Sequence, residues 1–206
     1  MWDWKSVRQD AGEQIRNNYW NSVIAWLSGF ACLAAAWFLR DVMFFVPSLL
    51  ILLLIWPIVD TGIRSFALFN LEDGGKVSDV FSFFGRSYFR ILKVRLLRMG
   101  RILLRSLLLI VPGVIFAYDS MCVPYLLAED PELDAADAFE KSYMLMDGEK
   151  RKAFLLDLTY LPAFLLTVAT GGVFGIFYLF PRFGQAHACV YGILISGIPY
   201  ATHEML

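Results

Sequence analysis

Charge is scarce in this 206-residue chain: only 18% of its residues are Asp, Glu, Lys or Arg, where soluble domains carry about 25%. That leaves too little polar surface for an ordinary water-soluble globule. There are only two histidines, His187 and His203, and no His-Glu-x-x-His spacing, which excludes a histidine-rich metal centre. Cys32, Cys122 and Cys189 lie far apart in apolar segments, with neither metal-ligand spacing nor a disulfide framework. No Gly-x-Ser-x-Gly elbow occurs, and Gly171, Gly172 and Gly175 neither follow a strand nor open a dinucleotide-binding helix. No cofactor, no metal and no catalytic motif is therefore expected.

Apolar sequence is plentiful, at 58% of residues and a mean hydropathy of +0.58. Two uncharged runs, Ser22 to Leu39 and Val42 to Val59, are separated only by Arg40-Asp41. Each run of about 18 residues would rise about 27 Å as a helix, close to the hydrocarbon thickness of a bilayer. Arg40-Asp41 then reads as a turn at the far surface, and the chain as an integral membrane protein. Residues 1–21 are too polar for a secretory signal. Their stripe of Trp4, Val7, Ala11, Ile15 and Tyr19 suits an amphipathic helix lying in the membrane interface.

After residues 22–59, the first hairpin, Asp60 and Arg64 are one turn apart and are expected to close the second helix, with a polar turn from Asn70 to Lys76 and an N-cap at Ser78. No acidic residue falls between Asp79 and Asp119, yet Arg86, Arg90, Lys93, Arg95, Arg98, Arg101 and Arg105 all do. On a helical wheel Arg90, Lys93, Arg98, Arg101 and Arg105 share one arc and leucines the other, which predicts a basic amphipathic helix with its arginines toward anionic head groups. Seven basic groups could also meet nucleic acid, but the interleaved leucines beside apolar spans favour lipid.

Pro112-Gly113 can kink the next apolar segment or turn it back. The bias of lysine and arginine toward the cytoplasm selects the hairpin, because it keeps Lys141, Lys150, Arg151 and Lys152 inside. The remaining segments read as an amphipathic cytoplasmic helix within 129–152 and a last hairpin over 153–197, turning at Gly171-Gly172 and bent at Pro181. The expected fold is all-α: a single polytopic transmembrane bundle of about six membrane-spanning segments with amphipathic interfacial helices, both termini cytoplasmic.

Pro112-Gly113, Ala117-Tyr118, Pro124-Tyr125, Ala128, Pro131, Ser142, Met146, Gly148, Phe154, Leu156, Leu158, Pro181 and Tyr191 form an ordered pattern. In this pattern the chain resembles the bacterial integral-membrane domain-of-unknown-function family 975. That family is distantly similar to the membrane domain of some glycerophosphodiester phosphodiesterases. The resemblance implies a multi-pass protein of the bacterial cytoplasmic membrane and supplies no catalytic residues. The chain departs from it where Arg95, Arg98, Arg101 and Arg105 interrupt an apolar span and where Arg151 replaces a tryptophan.

An ionisable group inside a span is a site candidate, because its burial is costly without a partner or water. Arg105, Asp119, Arg182 and His187 meet that test; Arg105 and Asp119, flanking Pro112-Gly113 at similar distance, are expected to pair. Arg86, Arg90, Lys93, Arg98 and Arg101 are the candidate lipid contacts. The expected role is non-enzymatic: an envelope accessory or lipid-interacting protein. The alternatives are a small transporter of an anionic solute or lipid, and an intramembrane enzyme using Ser120, Asp119 and His187.

Overall fold

Helix-compatible residues with apolar positions three and four apart produce helices throughout the chain. The computed structural model describes residues 2–43, 49–50, 53–72, 74–85 and 87–196, and among the described residues every regular element is helical. In order these are α1 (Trp4–Asn17), α2 (Tyr19–Met43), α3 (Trp56–Glu72), a 3-10 turn (Val77–Phe81), α4 (Tyr88–Leu108), α5 (Ile110–Asp119) and α6 (Val123–Glu129). After them come α7 (Ala135–Leu145), α8 (Lys150–Thr159), α9 (Leu161–Ala169), a π-turn (Gly175–Leu179) and α10 (Phe180–Ser196).

Two stretches, Ile110–Glu129 and Lys150–Ala169, are each 20 residues long and apolar enough to cross a membrane, by length and composition. In the second only 22% of the most apolar window is buried, so Leu155, Leu158, Leu161, Leu165 and Val168 face outward. The run Ser22 to Leu39 falls within α2, whereas Val42 to Val59 lies partly outside the described residues.

The expected turn at Arg40-Asp41 does not form there: α2 continues through both residues to Met43. Neither residue is a glycine or proline stop, so charge alone does not end the helix. The stripe of α1 is likewise not laid on a surface. Val7, Ala11 and Ile15 are almost fully buried, and α1 packs along α10 and α8.

Helix α3 does not close at Asp60 and Arg64 but runs on to Glu72, so Asn70 is a buried helical residue and not part of a turn. Gly74, at φ 86, supplies the stop. Ser78 lies inside the 3-10 turn, whose N-cap is Lys76. That turn sits directly on α3, because a Cβ on Gly62 would come within 1.9 Å of the Val80 carbonyl oxygen.

The chain reverses at Leu109, whose φ of −157 and ψ of 136 separate α4 from α5. The two helices run antiparallel: Arg98 bonds to Ser120, Arg105 covers Phe116, and Gly113 lies against Ser106. Pro112-Gly113 is therefore not the turn. Pro112 is the third residue of α5, where its missing amide is one of the donors that a helix start leaves unpaired anyway.

Proline has another consequence near the end of the chain. Pro181 lacks the amide that would bond to the carbonyl of Phe177, and the Tyr19 hydroxyl donates to that oxygen at 2.8 Å. A partly buried amide chain then ties the first, middle and last helices. Asn18 donates to Asn70 at 2.8 Å, Asn70 to Gln185 at 3.2 Å, and Gln185 to Gln14 at 3.0 Å and to the Ala67 carbonyl at 3.1 Å.

Candidate functional site

Positions 91, 95, 98 and 102 of α4 share one helical stripe, and two of them are arginines facing inward. Arg95 is 6% exposed and Ile91 fully buried, with Arg98 half-buried beside them. Asp60 of α3, 8% exposed, takes the Arg95 guanidinium on its Oδ2. Its Oδ1 faces Arg64 Nε at 3.6 Å, too long for a hydrogen bond. Arg64 Nη1 instead donates to the Tyr125 hydroxyl at 2.9 Å, and the Tyr125 ring stacks on Tyr191.

Arg98 has no carboxylate within 4 Å among the described residues. Its Nε donates to the Ser120 hydroxyl at 3.0 Å and its Nη2 reaches the Ala117 carbonyl at 3.5 Å. Two inward-facing arginines thus share the Asp60 carboxylate, and a third, Arg98, is held by neutral groups alone. Within the group, Arg64 Nε and Arg95 Nε and Nη1 are buried without a hydrogen-bond partner. Unpaired buried donors on a cation are costly.

Beside this group opens a cavity of about 250 Å³ lined by Arg64, Arg98, Ala117, Tyr118, Met121, Pro124, Asp157 and His187. Its lining includes a second polar group. The His187 Nε2 lies 2.7 Å from Asp157 Oδ1, and the Tyr118 hydroxyl donates to Asp157 Oδ2 at 2.7 Å. Phe183 packs on the His187 ring at 4.3 Å between centroids. No group of His, Cys, Asp and Glu among the described residues is arranged to hold a metal ion.

Residues 38–201 match the profile of a family described as a protein of unknown function, DUF975. The chain belongs to that family. Neither the curated proteins nor the solved structures contain a match to it.

Of the described candidate site residues in this DUF975 member, His187 and Arg98 line the cavity. Arg105 and Asp119 do not pair: Asp119 meets Lys150 at 2.5 Å, while Arg105 is exposed and stacks over Phe116 at 3.8 Å. Moving the turn from Pro112-Gly113 to Leu109 explains the loss, since Asp119 is then ten residues past the reversal and Arg105 only four before it. Arg182 lies over Tyr178 at 4.4 Å, near Gly12 of α1. Ser120, Asp119 and His187 do not converge, because Ser120 serves Arg98 and His187 serves Asp157.

The proposed lipid-facing arginines also divide. Arg98 points into the bundle, Arg101 covers Phe139 at 4.4 Å, Arg90 pairs with Glu132 at 3.1 Å, and Lys93 is exposed. Arg86 lies outside the described residues. Leucines do not all face inward as expected: Leu97, Leu103, Leu104 and Leu107 are exposed. Asp157 was missed by sequence reasoning, although it lies in the apolar run from Ala153 to Ala169 and satisfies the same criterion that selected Asp119.

Proposed function

We propose that this chain is a non-enzymatic multi-pass membrane protein, a bundle of about six spans, whose interior cavity holds an anionic group on Arg64 and Arg98. One observation carries the reading: Arg64 and Arg98 line the same cavity, Arg98 has no carboxylate within 4 Å among the described residues, and Arg64 Nε is buried without a hydrogen-bond partner. Arginine presents a planar fork matched to phosphate and carboxylate, so an anion seated there would satisfy both charge and hydrogen bonding. The apolar stretches Ile110–Glu129 and Lys150–Ala169 and the outward-facing leucines of α8 and α9 support placement in a bilayer. In that setting the anion is a lipid head group or a small solute, and the role is that of an envelope accessory protein in the cytoplasmic membrane.

The test combines location and binding. The protein should stay with membranes through an alkaline carbonate wash, and the detergent-purified form should be stabilised against heat by inorganic phosphate or by phosphatidylglycerol vesicles. Arg98→Gln should abolish that stabilisation. Recovery in the soluble fraction, or stabilisation unchanged in both Arg98→Gln and Arg64→Gln, would overturn the reading.

A further inference from the structure

The cavity lining holds both signs of charge: Arg64 and Arg98 on one hand, and Asp157, bonded to Tyr118 and His187, on the other. A site for a simple anion has no use for a carboxylate in its lining, since that charge opposes binding. Asp157 nevertheless lines the cavity, its side chain is 25% exposed, and among the described residues its only ion-pair partner is His187. Each of its oxygens accepts one hydrogen bond, Oδ1 from His187 and Oδ2 from Tyr118. An ionised carboxylate has about four acceptor sites, so half of its capacity is unspent.

Resting on the anion-site reading above, we infer that the ligand is a zwitterion of the phosphoethanolamine type. Its phosphate would seat on Arg64 and Arg98, and its primary ammonium on Asp157. The size agrees: about 250 Å³ is below the roughly 300 Å³ at which drug-sized sites begin, so the cavity suits a head group and not a larger solute. Ala117, Met121 and Pro124 give it an apolar side, along which the carbon skeleton of the ligand would lie. An ammonium offsets the charge of Asp157 as well as donating to it, whereas the hydroxyls of a head group such as phosphoglycerol can donate but leave the carboxylate's charge facing an anion. Selectivity then comes from the mismatch as much as from the match.

The experiment is calorimetric titration of the full-length protein in detergent with phosphoethanolamine, glycerol phosphate and inorganic phosphate. The expected result is at least tenfold tighter binding of phosphoethanolamine than of glycerol phosphate. Asp157→Asn should erase that preference while retaining phosphate binding, and Arg98→Gln should weaken all three ligands. Equal affinity of the wild-type protein for the two esters would overturn the zwitterion and leave the anion site standing. Binding of none of the three, together with no protection by nanodiscs of either phosphatidylethanolamine or phosphatidylglycerol, would overturn both. Because the wild-type preference is itself decisive, the inference stays falsifiable if Asp157→Asn fails to fold. A preference seen with free phosphoethanolamine identifies a soluble ligand. One seen only as protection by phosphatidylethanolamine over phosphatidylglycerol nanodiscs identifies the lipid head group.

Discussion

Asp60 on α3 and Arg95 on α4 are joined inside the bundle with side chains only 11% and 7% exposed, although 35 positions separate them. The pair fixes how α4 is rotated, since turning Arg95 outward would leave Asp60 buried with Arg64 alone.

Removing one member of such a pair typically costs about 3 to 5 kcal/mol, whereas replacing both by apolar residues can be nearly neutral. Asp60→Ala should therefore lower the melting temperature in detergent more than the double variant Asp60→Leu, Arg95→Met. Equal losses in the two proteins would refute the pairing as a stability determinant.

The hairpin geometry predicts opposite sensitivities at neighbouring positions. A Cβ on Gly113 would fall 2.8 Å from the Ser106 Cα, and backbone cannot yield as a side chain can, so Gly113→Ala should cost about 1 to 3 kcal/mol as overpacking does. Pro112→Ala, in the first turn of α5, should change stability by less than about 1 kcal/mol. Thermal melts of the two variants decide it, and a larger loss at Pro112 would return the turn to that residue.

The hydrogen bond from Tyr19 to the Phe177 carbonyl exists because Pro181 has no amide to offer. Tyr19→Phe should then destabilise by about 1 kcal/mol, the usual net worth of one hydrogen bond. Its effect should shrink in a Pro181→Ala background, where the restored amide takes over the oxygen. A double-mutant cycle with no coupling would show that the two groups do not share that carbonyl.

Asp10 offers a pH-dependent test at the helix α1 face. Burial, reinforced by the neighbouring charge of Glu13, raises its carboxyl above the usual aspartate range, and its Oδ2 is buried without a partner. A raised folded-state value means that the native state binds the proton more tightly than the unfolded chain. The contribution of Asp10 is thus favourable at low pH and is lost as pH rises through the folded value. Asp10→Asn should melt higher than the wild type at neutral pH, with the difference narrowing on acidification toward pH 4. A difference independent of pH would contradict the assignment.

How far the sequence carries depends on the residue. Helical class follows from periodicity, because Val7, Ala11 and Ile15 repeat at the spacing of one buried face. The partner of Asp60 was not legible, since its spacing from Arg64 fits an i,i+4 pair at a helix end as well as one inside a helix. What decides is the rotation of α4, which only the packed structure supplies. Pro112 was misleading for a related reason: proline signals both the interruption and the first turn of a helix. That shift of the turn to Leu109 removed the matched depth on which the pairing of Arg105 with Asp119 depended. The Asp157 side of the cavity was readable from its ionisable residue in an apolar run, but its bond to Tyr118 requires the contact of α5 with α8.

The amide chain through Gln14, Asn18, Asn70 and Gln185 spans nearly the whole polypeptide, with 171 positions between Gln14 and Gln185. Synthesis runs from the amino end, so Gln14 and Asn70 emerge long before the side chain that links them. Asn18 at the end of α1 can join Asn70 early, but Gln14 is not tied into the network until α10 has been made. Completion of this network is therefore a late event in the life of the polypeptide. Truncation ahead of residue 185 would release an unlatched intermediate, exposed to quality-control proteolysis, in place of a smaller stable protein.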